Sequence, residues 1–260
     1  MRVAIASLLS LMLCANIAAT SFAQNAAPRI AAMPSAPGAP VAAKQAPAFT
    51  YMLFWKQNDA NTQQFAETIR KGTARRPEQA NWTSIDVNDA ANKAVVAQYG
   101  VSRAPMPLAL CVANNGAITS VFTRRPTDEA LDRAIVTPAM VDVTKALQDK
   151  KIVVVHVKPT KDAPLPYGAL EFTEEPEFKA RTMVFDVVAN DPAERRFLTD
   201  MEFNTASIRD SSVVIMAPPG VLVGKFAASV TVDEITTKLH AAGKCCNDPN
   251  CKHNKKASAK

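Results

Sequence analysis

Beyond an apolar stretch at its start, the 260-residue chain has no apolar run that could span a bilayer, which takes about 20 such residues. That leaves no helical span in the body of the protein. A surplus of one charge is lacking too, once the ends are set aside. The formal net charge is +6, from 30 Lys and Arg against 24 Asp and Glu. Arg2 and the tail from Lys244 onward account for most of it, the tail holding five lysines and one acid; what remains is 24 basic residues against 23 acidic ones. A nucleic-acid binder spreads its basic residues over a folded face. This chain does not, so nucleic acid is not expected as a partner. Cysteine is scarce where chemistry would need it: of five, one is Cys14, one is Cys111, and the other three crowd into the last 16 residues.

What is present at the start reads as an address. Met1-Arg2, an apolar run from Val3 to about Ala19, and Thr20-Ser21-Phe22-Ala23-Gln24 follow the secretory pattern, with small residues at −3 and −1 (Ser21 and Ala23). Residues 1–23 are expected to be a cleaved signal peptide, and the mature protein periplasmic or secreted. Residues 24–48 are then built almost wholly of Ala, Pro, Met, Ser and Gly, with prolines at 28, 34, 37, 40 and 47. Proline lacks the amide donor and clashes with the preceding turn, and a segment without aromatics has little surface with which to offset its ordering entropy. A semi-extended linker is predicted.

Residues 49–137 and 138–243 repeat one pattern. Phe49 to Trp55 and Lys151 to Val157 are continuous apolar runs, as expected of strands covered on both faces. Each is followed by a helical stretch and a second strand, Ser84-Ile85-Asp86-Val87 or Val184-Phe185-Asp186-Val187. Then come a further helix (about 90–98, 192–201) and an apolar strand, Leu108 to Ala113 or Val213 to Ala217. Asn114-Asn115-Gly116 and Pro218-Pro219-Gly220 read as hairpin turns, leading into strands at 117–122 and 221–226. A last helix opens at Thr127 or Thr231, each a hydroxyl N-cap followed by acids that suit the orphan amides and the dipole. The order is β-α-β-α-β-β-α, twice, with a helix from Ala139 to Lys150 joining the copies. The fold class is α/β.

The order, together with Ile85-Asp86-Val87, Tyr99-Gly100-Val101, Ala104-Pro105-Met106-Pro107-Leu108 and Asn115-Gly116, resembles the thioredoxin superfamily. In that family an Asp-Val strand, a helix, a Tyr-Gly-Val turn and a cis-proline lead into the central hairpin. Phe54-Trp55 also stands where that family has Phe-Trp ahead of its active site. The resemblance implies tandem thioredoxin-like domains, and a shallow peptide groove shaped by a cis-proline at Pro105 or Pro107. The second copy matches in layout only, with Ser207-Ile208-Arg209-Asp210-Ser211 where the proline should stand.

The dithiol of the redox members is missing. A cysteine at a helix N-terminus has its pKa lowered and becomes a nucleophile, but Lys56 to Gln63 contains none, and neither does Lys158 to Asp162. Asp59 or Asn61 reads as an N-cap instead. Cys111, mid-strand, is expected to pack as a small hydrophobe, and Trp55 to be structural. His156, within a Val run, is expected to be a satisfied interior histidine, and His240 to suit the end of the last helix.

The distinctive chemistry lies in the tail, where Cys245, Cys246, Cys251 and His253 fall within nine residues. Three thiolates and an imidazole are a possible ligand set for zinc or Cu(I). Adjacent cysteines chelate awkwardly, and an oxidising compartment equally allows a Cys246–Cys251 or Cys245–Cys251 disulfide, or exchange with a partner. These alternatives stay open. The function expected is a non-catalytic binding or scaffold protein with a protein partner, with metal binding or thiol exchange through the tail as the alternative. The sequence leaves the oligomeric state open.

Overall fold

The computed structural model describes residues 48–244; the expected signal peptide, nearly all of the Ala/Pro linker and the cysteine tail lie outside the described residues. Two four-stranded mixed sheets result, with the strand orders β2-β1-β3-β4 and β6-β5-β7-β8. In the first copy the strands are β1 (Phe49–Trp55), β2 (Ala80–Asp86), β3 (Leu108–Ala113) and β4 (Ile118–Phe122). The helices are α1 (Ala60–Ala74), α2 (Lys93–Gln98) and α3 (Asp128–Ala134). After α4 (Pro138–Gln148) the second copy runs β5 (Ile152–Lys158), α5 (Tyr167–Glu174), β6 (Thr182–Val188), α6 (Arg195–Asp200), β7 (Ser212–Ala217), β8 (Val221–Ala227) and α7 (Val232–Lys244).

The apolar runs become the central strands because both of their faces are covered. β1 pairs parallel with β2 and antiparallel with β3, and alternate residues feed two cores. Phe49, Tyr51 and Leu53 face Phe65 and Ile69 of α1 and Leu131 and Ala134 of α3. Phe54 faces the other way, with Leu108 and Leu110, toward Val96 of α2 and Val101. The second sheet is built alike. Val154, Val213 and Ile215 pack on Phe172 of α5 and on Ile235 and Leu239 of α7. Val153, Val155 and Val214 pack on Phe197 and Leu198 of α6 and on Val143, Ala146 and Leu147 of α4.

Most elements begin or end within a residue or two of their predicted places; β2 starts four residues earlier, at Ala80. The stretches expected as helices at 90–98 and 192–201 each open with a short 3-10 turn, capped by Asp89 or Asp191, before the α-helix begins. Thr231 and Glu234 form a reciprocal cap at α7: the Thr231 hydroxyl accepts from the Glu234 amide, and Glu234 Oε2 accepts from the Thr231 amide at 3.0 Å. In the first hairpin Gly116 has φ of 85° and donates to Ala113 O at 2.8 Å. The second hairpin contains a cis peptide at Pro218–Pro219.

α4 lies on the second sheet and also reaches back to the first copy. The Gln148 side-chain amide pairs with the backbone of Ile118 on edge strand β4, accepting at 3.0 Å and donating at 2.7 Å. Across the junction before α4, the second copy grips two helix ends. Glu194 Oε1 accepts from the Ala139 amide in the first turn of α4, at 2.9 Å. The Arg196 guanidinium donates to the carbonyls of Ile135 (3.1 Å), Arg133 (3.2 Å) and Asp132 (3.4 Å) at the end of α3. An acid thus meets a helix N-terminus and a cation a helix C-terminus, which is the favourable pairing for both dipoles.

Candidate functional site

At the C-terminal end of β1 the chain leaves the sheet as Lys56-Gln57-Asn58 and enters α1. Asp59 is the N-cap: its carboxylate accepts from the Thr62 amide at 2.8 Å, and that hydrogen bond holds its carboxyl below the usual range. The Thr62 hydroxyl donates to Gln57 O at 2.8 Å, so the turn is tied at both ends. Facing it is the loop 104–107, which leads into β3. α2 stops at Gly100, whose φ of 63° is a left-handed conformation that glycine takes without cost. A 3-10 turn over 101–103 follows, and Lys56 Nζ donates to Ser102 O across the gap at 3.4 Å.

Of the two prolines considered, the peptide before Pro107 is cis. Between the turn and the loop lies a groove of about 290 Å³, lined by Lys56, Gln57, Asp59, Thr62 and residues 104–107. Its charged groups are an ammonium and a carboxylate, and no thiol lines it.

Trp55 flanks this end of the sheet, its indole N–H donating to Ser84 Oγ at 2.8 Å. Cys111 is elsewhere. It lies on the α1/α3 face of β3, fully buried, with Sγ 3.7 Å from Ala134 O. Burial pushes its thiol up to about 11. A thiol of that kind is neither a nucleophile nor a metal ligand at neutral pH. Its neighbour Tyr51 donates its hydroxyl to Leu131 O at 2.6 Å, and burial pushes the phenol upward as well.

Each half is thioredoxin-like. The central strand has a parallel neighbour on one side and an antiparallel hairpin on the other, with helices on both faces. No protein-family model matches the chain, and no curated protein matches it. Among solved structures it is similar to the N-terminal domain of alkylhydroperoxide reductase AhpF from Enterococcus faecalis. The identity is 14%, over 75% of this chain and 92% of that one, with a TM-score of 0.30. The first two thioredoxin domains of Naumovozyma dairenensis Eps1p are 11% identical over 76% of this chain and 91% of theirs, at 0.27. Human ERp44 in a zinc-bound form is 12% identical over 75% of this chain and 52% of its own, at 0.31. The strand order carries the fold; overlaps of this size add nothing about activity.

In the second copy, residues 207–211 carry no proline, and the position before β7 is Ser211. His156 is buried, as a satisfied interior histidine would be, but its partners were not foreseen. Nδ1 lies 2.9 Å from Asp186 Oδ1, and Nε2 lies 3.0 Å from Ser211 Oγ. The partners are 30 and 55 residues away in sequence, and only the register of the sheet brings the three together. His240 lies on α7, 3.8 Å from Glu177. Cys245, Cys246, Cys251 and His253 lie outside the described residues. Among the described residues no group of three or more His, Cys, Asp or Glu could hold a metal.

Proposed function

We propose that the chain is an exported, thioredoxin-like binding protein whose first copy holds an extended segment of a protein partner in the groove beside Pro107, without redox catalysis there. One observation carries the reading: where a dithiol would stand, the groove wall offers Lys56, Gln57 and Asp59, and the buried cysteine of that copy is inert. An extended peptide next to the end of β3 gains main-chain hydrogen bonds, while the ammonium and carboxylate select its side chains. The test is fluorescence polarisation against a library of extended peptides, with Gln57→Trp filling the groove from its rim. Binding should weaken at least tenfold in that variant, and protein with Cys245, Cys246 and Cys251 replaced by serine should not reduce insulin. Peptide affinities that Gln57→Trp leaves unchanged would overturn the reading.

A second reading rests on the same inert Cys111. It is the free cysteine of the described residues, so any thiol chemistry of the mature chain falls to Cys245, Cys246 and Cys251, with His253 beside them. Zinc or copper at near-unit stoichiometry in protein purified under reducing conditions would support metal binding. Its absence, with a tail potential above about −300 mV, would mark a labile bond suited to exchange.

A further inference from the structure

The two copies can be superposed by register. In the first, Leu53 of β1 stands opposite Ser84 of β2 and Ala109 of β3; in the second, His156 of β5 stands opposite Asp186 of β6 and Val213 of β7. Phe54 pairs with Leu108, the first residue of β3, and Val157 pairs with Ser212, the first of β7. His156 therefore takes the place of Leu53, and Ser211 the place of Pro107. An apolar position in one copy has become, in the other, the centre of a polar trio at the functional end of the sheet. Placing an imidazole among buried valines is costly unless both nitrogens are bonded. Here both are.

The order of the contacts matters. Asp186 Oδ1 lies 2.9 Å from Nδ1, Nε2 lies 3.0 Å from Ser211 Oγ, and Lys158 Nζ donates to Asp186 Oδ2 at 3.0 Å. Burial lowers the affinity of His156 for a second proton more than the Asp186 carboxylate raises it, so the ring is neutral at pH 7. Burial alone would raise the Asp186 carboxyl, but hydrogen bonds from Lys158 and His156 outweigh it and hold the group ionised. An ionised carboxylate can only accept, so the single ring proton sits on Nδ1. Nε2 is then an acceptor 3.0 Å from the serine oxygen, whose one hydroxyl proton has two acceptors within reach, Nε2 and the Pro164 carbonyl at 3.1 Å. Ser211 is half-buried and opens onto a cavity of about 620 Å³, lined among others by Phe203, Asn204, Ile208, Arg209 and Ala228.

We propose that Ser211, His156 and Asp186 form an acyl-transfer site in the second copy that hydrolyses short-chain carboxylic esters. Ser211 Oγ bonds to the ester carbonyl carbon as its proton passes to Nε2 of His156. The carbon–oxygen bond to the alcohol breaks, and the leaving oxygen takes that proton. A water then gives its proton to Nε2 and its hydroxide to the acyl carbon. The Oγ–carbon bond breaks, and Oγ recovers the proton, releasing a carboxylic acid. Asp186 does not touch the substrate; it is a positioning residue that holds the tautomer and the resulting imidazolium. Esters are the fitting class because an alcohol leaves more readily than an amine.

The Pro164 carbonyl, 3.1 Å from Ser211 Oγ, adds a pH dependence. When His156 is doubly protonated, Nε2–H points at Oγ and the hydroxyl proton turns to Pro164 O. The serine is then without a base. The charged groups facing the ring are Asp186 of β6 and, through it, Lys158 of β5.

The test uses the full chain with a fluorophosphonate probe and with p-nitrophenyl butyrate. The expected result is probe attached to the peptide carrying Ser211, and ester turnover that falls at least 100-fold in Ser211→Ala. Asp186→Asn, which favours the wrong tautomer, should lower turnover while keeping the label site. The wild-type rate should rise with pH along a limb below about 6.5, the ordinary value for histidine. Equal turnover in wild type and Ser211→Ala, the latter folded by circular dichroism, overturns the proposal; so does a label elsewhere or none. Peptide binding in the first-copy groove is read separately, so either proposal can fail alone.

Discussion

Glu194 and Arg196 are the pair whose loss should be felt across the whole molecule. Glu194 is 7% exposed, and of its two carboxylate oxygens Oε1 takes the Ala139 amide while Oε2 is buried with no hydrogen-bond partner. A hydrogen bond to a charged group contributes about 1.5–3 kcal/mol, and a buried orphan oxygen costs about 1 kcal/mol or more. A buried acid at a helix N-terminus adds up to about 2 kcal/mol. Removing the side chain loses the first and third terms and relieves the second. Glu194→Ala should therefore cost about 1.5 kcal/mol, or about 3–6 °C in Tm for a domain pair of this size. Arg196 is more exposed, at 43% of its side chain, and water screens its carbonyl contacts; Arg196→Ala should cost about 1 kcal/mol or less.

The assay can tell where the loss falls. Both tryptophans, Trp55 and Trp82, lie in the first copy, while helix and strand signal comes from both. In the wild type, urea unfolding followed by tryptophan fluorescence and by circular dichroism should coincide. In the double variant the second copy no longer holds the α3–α4 junction, and the two midpoints should separate, the signature of lost two-state behaviour. Coincident midpoints within about 0.3 kcal/mol of the wild type would refute the junction as the coupling element, since additive error for distant sites is about that size.

Cys111 should resist iodoacetamide at pH 8 in the folded protein and react on unfolding, read by mass mapping so that the tail thiols do not interfere; its burial-raised pKa leaves almost no thiolate. Tyr51→Phe should cost about 1–2 kcal/mol in urea unfolding, because the Leu131 carbonyl is left buried and unpaired. Gly168→Ala should destabilise by about 1–3 kcal/mol, because a Cβ there runs into the Val230 carbonyl where α5 meets α7. For His156 the sign is fixed by its depressed folded pKa. The unfolded chain binds the proton more readily, so stability is full above about pH 6.5 and falls as the pH drops below it, and His156→Leu should flatten that slope.

The repeat was legible because both copies obey the same burial pattern. β1 and β5 are apolar without alternation because helices cover both faces, and the hydroxyl caps at Thr127 and Thr231 mark where the last helices begin. The groove of the first copy was legible from its proline loop and its missing cysteines. Two things were not. Glu194, in the 3-10 turn before α6, and Arg196, on α6, are charged residues in a polar stretch of sequence; their role appears only when the ends of α3 and α4 are seen beside them. The trio around His156 is hidden for a different reason. In sequence Asp186 reads as the counterpart of Asp86, whereas the register gives it the place of Ser84, and Ser211 sits in a loop rich in polar residues, so neither stands out until the register pairs His156 with Asp186.

The divergence between the copies follows from this placement. The end of a central strand at the head of the sheet is where helix entry, loop and neighbouring strand converge, so a side chain there meets groups that are distant in sequence. The first copy fills the interior position with Leu53 and leaves the surface groove as its resource. The second fills it with His156, drawing Asp186 and Ser211 into one hydrogen-bonded line, with a cavity beside the serine instead of a proline loop. A single apolar-to-imidazole difference would be a destabilising burial on its own. It persists here with both partners present, and one exchange should show how tightly the three are tied. His156→Leu in the wild type should be tolerated, since Leu53 is tolerated in the same place, whereas Asp186→Leu should destabilise the fold by more than His156→Leu, because it strands the buried ring nitrogen. Equal losses from the two would mean that the line of hydrogen bonds contributes nothing beyond packing.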